Sequence, residues 1–116
     1  MNPAAPAPEL QLDVDTTPAE TKFHCTGRIT SSTSALLRDA VRAVIPEKKT
    51  IVLDLSKVTF IDSSGLGTLV SVWVSTKKNG CELRFVNLNQ RLKELLGVTS
   101  LDKLFAISRF PDTPSF

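Results

Sequence analysis

An α/β sandwich, a mixed sheet of about four to five strands with helices packed mainly on one face, is the fold class that the sequence predicts. Three observations carry that prediction. Alternating apolar residues open the folded region as two adjoining strands, the run "IVLDL" marks a strand covered on both faces, and helical-period segments separate the later strands. With 116 residues, 41% of them hydrophobic and 22% charged, the chain can bury one core but not two domains around a cleft.

The elements follow in order. Residues 1–8 are rich in proline and alanine and are expected to form a flexible arm, leaving 9–110 as the domain and 111–116 as a tail. Leu10, Leu12 and Val14 alternate with Gln11, Asp13 and Asp15 as a strand with one buried face. "TTPAE" supplies a turn, and a second alternating stretch around Phe23 and Cys25 completes a hairpin. In "SSTSALLRDAVRAVIPEKK", Leu37, Ala40, Val41, Val44 and Ile45 share one helical face, with Arg38, Asp39 and Arg42 turned away. The preceding serines and threonine are placed to cap the free amides, and Pro46 to end the helix.

"TIVLDLSKVTFI" is the expected central strand. A second helix follows, with Leu66, Leu69, Val70, Trp73 and Val74 inward, Ser71, Val72 and Ser75 outward, and "KKNG" at its end, where cations and a glycine suit a carboxyl terminus. In "CELRFVN", Cys81, Leu83 and Phe85 alternate with Glu82 and Arg84, a strand again. "NQRLKELLGV" reads as a short helix with Leu92, Leu95 and Leu96 inward, and "TSLDKLFAIS" as a further helical turn and a last short strand.

Charge and composition narrow the function classes. The formal charge is only +2, with basic residues interleaved among acids, so no nucleic-acid partner is expected. The amino end lacks the basic start and apolar run of a secretory signal, and nowhere do about 18 consecutive apolar residues occur, which predicts a cytoplasmic protein without a membrane partner. Cys25 and Cys81 fit no metal-ligand spacing and read as small buried thiols.

The segment that invites a chemical reading is "FIDSSGLG", residues 60–67, where an apolar strand passes into a helix. It is not a nucleophile elbow, because Ile61 and Asp62 stand where glycines must precede Ser63 or Ser64. His24, the sole histidine, is expected at the surface or an edge beside the core residue Phe23 rather than as a general base. Gly65 and Gly67 follow a strand, but Val70 occupies the third small position of a dinucleotide fingerprint, and no Gly-Lys-Ser/Thr closes a phosphate loop. A phosphoaspartate receiver at Asp54 is a rival from another class. It needs an acidic pair after the first strand, and the early acids Asp13 and Asp15 instead alternate along a strand that runs into a hairpin. Asp54 is expected to bond neighbouring loop amides.

What fits best is modification of the serine itself. A helix start leaves amides without internal partners and carries partial positive charge, so it stabilises added negative charge by about 0.3 to 1 kcal/mol. Asp62 or a serine can cap the unmodified helix. Phosphate at Ser63 would add about −1.5 to −2 charges beside Asp62 and alter recognition without moving the fold. Gly65, Leu66 and Gly67 would shape the approach of a partner.

On "TIVLDLSKVTFIDSSGLGTLV", and more loosely on "GRITSSTSALLRDAV" and "CELRFVNLNQRLKELLGVTSLDKLF", the chain resembles the STAS domains, in particular the bacterial anti-sigma factor antagonists. The resemblance implies a STAS-like sandwich that is a binding module rather than an enzyme and needs no cofactor of its own. It implies Ser63 as the residue phosphorylated by an anti-sigma factor that is itself a serine kinase holding ATP and Mg²⁺, with a metal-dependent phosphatase reversing the step. The unphosphorylated form would sequester the kinase and free a sigma factor. Asp62, Ser63, Ser64, Gly65, Leu66, Gly67 and Thr30 are the implied partner contacts. Many antagonists carry Gly-Glu-Leu-Asp where this chain has Gly27, Arg28, Ile29 and Thr30, which leaves room for an unphosphorylated STAS scaffold or adaptor as the alternative.

Overall fold

The computed structural model describes residues 9–45 and 50–99. Their elements run β1 (Leu10–Thr16), β2 (Glu20–Ile29), α1 (Ser34–Val44), β3 (Thr50–Ile61), α2 (Ser63–Lys78), β4 (Glu82–Val86) and α3 (Gln90–Thr99). The strands form one four-stranded sheet in the order β1-β2-β3-β4. β1 is antiparallel to β2, and β2, β3 and β4 are mutually parallel. The sheet is therefore mixed, as the sequence predicts, and among the described residues it has four strands. The arm at 1–8, Pro46, the turn and strand expected in "TSLDKLFAIS" beyond residue 99, and the tail at 111–116 lie outside the described residues.

The core lies between one sheet face and the helices. Phe23, Cys25, Ile51, Leu53, Leu55, Leu83 and Phe85 meet Leu37 and Val41 of α1 and Leu69 and Val72 of α2 in one cluster, which Leu92 and Leu96 of α3 join. "IVLDL" is buried at every residue, as expected of an inner strand. Both thiols are buried and neither is in a disulfide, and burial with the neighbouring Asp54 charge pushes Cys25 up to about 12, so it stays protonated. Helix α2 ends as the "KKNG" segment predicts. Gly80 takes φ +73, a left-handed conformation suited to glycine, while its N–H and that of Cys81 return to the carbonyls of Lys77 and Thr76.

Three expectations are corrected. Val14 is 52% exposed, because the outer end of edge strand β1 runs past the helices that cover its neighbours. Val72 of α2 is fully buried and Val74 exposed, the reverse of the expected phase. The inward stripe is Gly65, Thr68, Leu69, Val72 and Thr76, in which the threonine hydroxyls donate to Ser64 O and Trp73 O and leave their methyls to the core. Finally, no side chain caps α1: Thr33 sits at the N-cap but its hydroxyl points back to the end of β2.

Candidate functional site

Because β2 and β3 run parallel with Ile29 beside Ile61, both strands end at the same edge of the sheet, and the starts of α1 and α2 meet there. The end of β2 is fastened to the start of α2 by the amide of Asp62, which donates to Ile29 O at 3.3 Å. Gly65 permits that approach: a Cβ there would stand 2.1 Å from the same carbonyl oxygen and 2.9 Å from the Ile61 side chain. Gly67, one turn-face away, has open space where its Cβ would be. The two glycines of the motif therefore differ in kind, one required by packing and the other exposed.

Asp62 is the N-cap of α2. Its backbone is extended, and Oδ1 accepts the Gly65 N–H at 2.8 Å. With the carboxylate in that role, Ser63 and Ser64 occupy the first two helical positions, both exposed, and no side chain among the described residues bonds either hydroxyl. Leu66 is half-buried. The expected contacts Asp62, Ser63, Ser64, Leu66 and Gly67 are thus brought together on one ridge, with Gly65 beneath it.

Thr30 stands apart. It is only 7% exposed, and its groups are used within the loop: its N–H donates to Thr33 Oγ1, its Oγ1 accepts the Ser32 N–H, and its carbonyl accepts the Ser34 hydroxyl. The exposed members of that loop are Ser31 and Ser32. Arg28, just before it, is exposed and lays its guanidinium 4.7 Å from the ring centre of Phe60.

Between α1 and α2 a shallow groove of about 330 Å³ opens beside the serines, lined by Ser31, Ser34, Arg38, Ser64, Gly67, Thr68 and Ser71. The lining holds hydroxyls and one guanidinium and no carboxylate, and Arg38 has no ion pair among the described residues. From the sequence, Arg38 is expected only as a residue off the core face. Its signal was spacing: 31, 34 and 38 repeat at helical intervals, as do 64, 67, 68 and 71 across the groove.

His24 and Asp54 lie on the opposite sheet face. His24 is half-exposed on the inner strand β2, with Nδ1 3.0 Å from Asp54 Oδ2 and Nε2 3.0 Å from Asp15 Oδ2. Of the two places expected for it, surface or edge, it takes the surface, and both nitrogens are engaged. Asp54 Oδ1 accepts the Ser56 N–H at 3.0 Å, the local amide bond expected of it. Partial burial works to raise Asp54, but hydrogen bonds from Ser56, Asn87 and His24 outweigh it and hold the carboxyl below its ordinary value. Among the described residues no group of three or more His, Cys, Asp or Glu could hold a metal ion. The first strand turns back as a hairpin instead of entering a helix, which is not the layout a receiver requires. No helix among the described residues is long and apolar enough to cross a membrane.

Comparison with known proteins identifies the family of the domain. The family model described as the STAS domain matches residues 11–113. The anti-sigma-B factor antagonist of Bacillus subtilis is 27% identical over 99 residues, covering 85% of this chain and 91% of that protein. The anti-sigma-B factor antagonist of Listeria monocytogenes is 34% identical over 83 residues, 70% of this chain and 72% of that one. The crystal structure of an anti-sigma factor antagonist from Mycobacterium paratuberculosis superposes with a TM-score of 0.73 at 26% identity, covering 84% of this chain and 85% of that chain.

Proposed function

The chain belongs to the STAS domain family, and from that premise we propose that it is an anti-sigma factor antagonist, a protein-binding switch whose acceptor is Ser63. Relatives named anti-sigma-B factor antagonists support a regulatory rather than a catalytic role. The observation that carries the reading is the Ser63 hydroxyl, exposed at the first position of α2 and released from capping because Asp62 does that work. The partner is an anti-sigma factor that is a serine kinase and holds its own ATP and Mg²⁺. In the transfer, Ser63 Oγ bonds to the γ-phosphorus, the bond to ADP breaks, and the hydroxyl proton passes to the kinase. A metal-dependent phosphatase hydrolyses the ester again.

The switch follows from charge. The free hydroxyl sits on a ridge with Ser64, Leu66 and Gly67 that a partner can cover. Phosphate adds about −1.5 to −2 charges next to Asp62, and a partner surface fitted to the neutral ridge then meets repulsion and a desolvation cost. The fold need not move, because the free amides and dipole of α2 accommodate the added charge where it stands.

The test is a pull-down from native lysate with wild type, Ser63→Ala and Ser63→Asp, together with phosphopeptide mapping of the native protein. Alanine should retain the kinase and aspartate lose it. Equal recovery by both would overturn the switch, and phosphate on Ser64 instead would move the acceptor by one residue. A second reading, an unphosphorylated scaffold, is favoured by one feature: the exposed Arg28 over Phe60, where the antagonist pattern has an acid. It requires native protein that carries no phosphate on either serine.

A further inference from the structure

From the sheet face opposite the described helices, we infer that Asp15, His24 and Asp54 form a charged clasp, which fastens strand β1 to the sheet while the imidazole is protonated and slackens when the proton leaves. The geometry carries it. The two ring nitrogens of His24 are each 3.0 Å from a carboxylate oxygen, one on β1 and one on β3. A neutral imidazole has one N–H, so in either tautomer its other nitrogen would turn a lone pair toward a carboxylate. Only the imidazolium donates to both. The same double engagement leaves no free nitrogen for acid or base catalysis.

The position of the cluster gives it leverage. Among the described residues β1 pairs with β2 alone, and Leu10 is its only buried residue; Asp13, Val14, Asp15 and Thr16 are all exposed. Its outer half is thus held by the β1–β2 ladder and by whatever side chains reach across. The clasp spans three strands, whereas the ladder joins two.

The groups around His24 favour its charged form. On β1 they are Asp13, its partner in register, and Asp15; on β3, Asp54 and, farther along, Lys57. Lys22 is two residues before it on β2, and Arg84 on β4 is already bonded to Glu82. The hydrogen bond to Asp15 first, and that to Asp54 second, hold His24 above its ordinary 6.5 against partial burial. Folding therefore tightens the hold on that proton. The stabilisation is complete below pH 6.5 and is lost as pH rises through the higher folded value. Asp54, held below 3.8, sets the opposite limit, and its share fails only as pH falls through that lower folded value.

The chain has one histidine, so its ring signals need no assignment. Ring nitrogen NMR from pH 5 to 9 should show both nitrogens protonated at the acid end and a midpoint above 6.5 in the wild type, moved toward 6.5 in Asp15→Asn. Amide exchange over the same range should show β1 protection, normalised to β3, falling by more than about threefold as His24 deprotonates. Asp15→Asn and His24→Gln should both flatten that dependence. A wild-type midpoint at or below 6.5, or β1 protection that ignores both pH and Asp15→Asn, would overturn the clasp.

Discussion

Helices α1 and α2 begin within one edge of the sheet, each after a strand that ends in isoleucine and each through a run of hydroxyl residues, yet the hydroxyls meet opposite fates. At the start of α1, Thr30, Thr33 and Ser34 are buried, and their side chains satisfy the backbone of the loop, while Ser31 and Ser32 stay exposed. At the start of α2, Ser63 and Ser64 stand in solvent. The difference comes from Asp62. Where a carboxylate takes the cap, the serines after it are spare; where none is present, part of the hydroxyl run, here Thr30, Thr33 and Ser34, is drawn inward to bond amides and carbonyls that would otherwise be buried alone. A reactive-looking serine run is therefore informative only when something else has done the structural bonding.

The strongest way to break the comparison is to push α2 off its seat. Gly65→Ala sets a Cβ against Ile29 O, a backbone atom at 2.1 Å that cannot swing aside. We expect a loss of about 2 to 4 kcal/mol in chemical denaturation, in the range of overpacked cores. Gly67→Ala enters open space and should instead gain up to about 1 kcal/mol of helix propensity. Equal effects from the two would mean that the close approach at Ile29 is not what fixes the start of α2.

Next in size is the buried hydroxyl of the α1 side. Thr33→Val keeps shape but deletes the bond to Arg28 O and leaves the Thr30 N–H without its acceptor. An orphaned buried donor costs about 1 to 3 kcal/mol. The same measurement checks it, and a loss below about 0.5 kcal/mol would mean that the loop finds other partners.

Which parts of this were legible in the sequence follows from what side chains encode alone and what they encode in pairs. The β3 run and the alternation of Cys81, Leu83 and Phe85 were readable because burial there depends on period only. The phase of α2 was not. Thr68 and Thr76 count as polar letters but behave as core methyls once their hydroxyls bond the helix's own carbonyls, and Gly65 marks the inward face by having no side chain at all. Val14 misled because alternation cannot tell how far the helices extend over an edge strand. Asp62, Ser63 and Ser64 were placed correctly on a helix start from the motif, whereas the burial of Thr30 and the groove at Arg38 depend on how two strands end side by side. The pairing of His24 with Asp15 and Asp54 needed the register of three strands, which no single segment contains.

The smallest effect sharpens the comparison most, because it separates the cap from the serine it sets free. Asp62→Ala removes the oxygen that accepts the Gly65 N–H and should cost about 0.5 to 2 kcal/mol, while Asp62→Asn keeps an acceptor and should cost a few tenths. Ser63→Ala, which breaks no bond among the described residues, should lie within about 0.5 kcal/mol of wild type. Under the proposed switch, the informative readout is phosphate uptake at Ser63 in the two Asp62 variants. Asparagine keeps the hydroxyl free and lowers the repulsion beside it, so uptake should persist. In the alanine variant α2 begins with an uncapped turn, and Ser63 or Ser64 is the nearest hydroxyl able to turn inward and bond the free amides, which should slow uptake more than the loss of stability alone explains. If Ala and Asn accept phosphate at the same rate, the exposure of Ser63 does not depend on the carboxylate that precedes it.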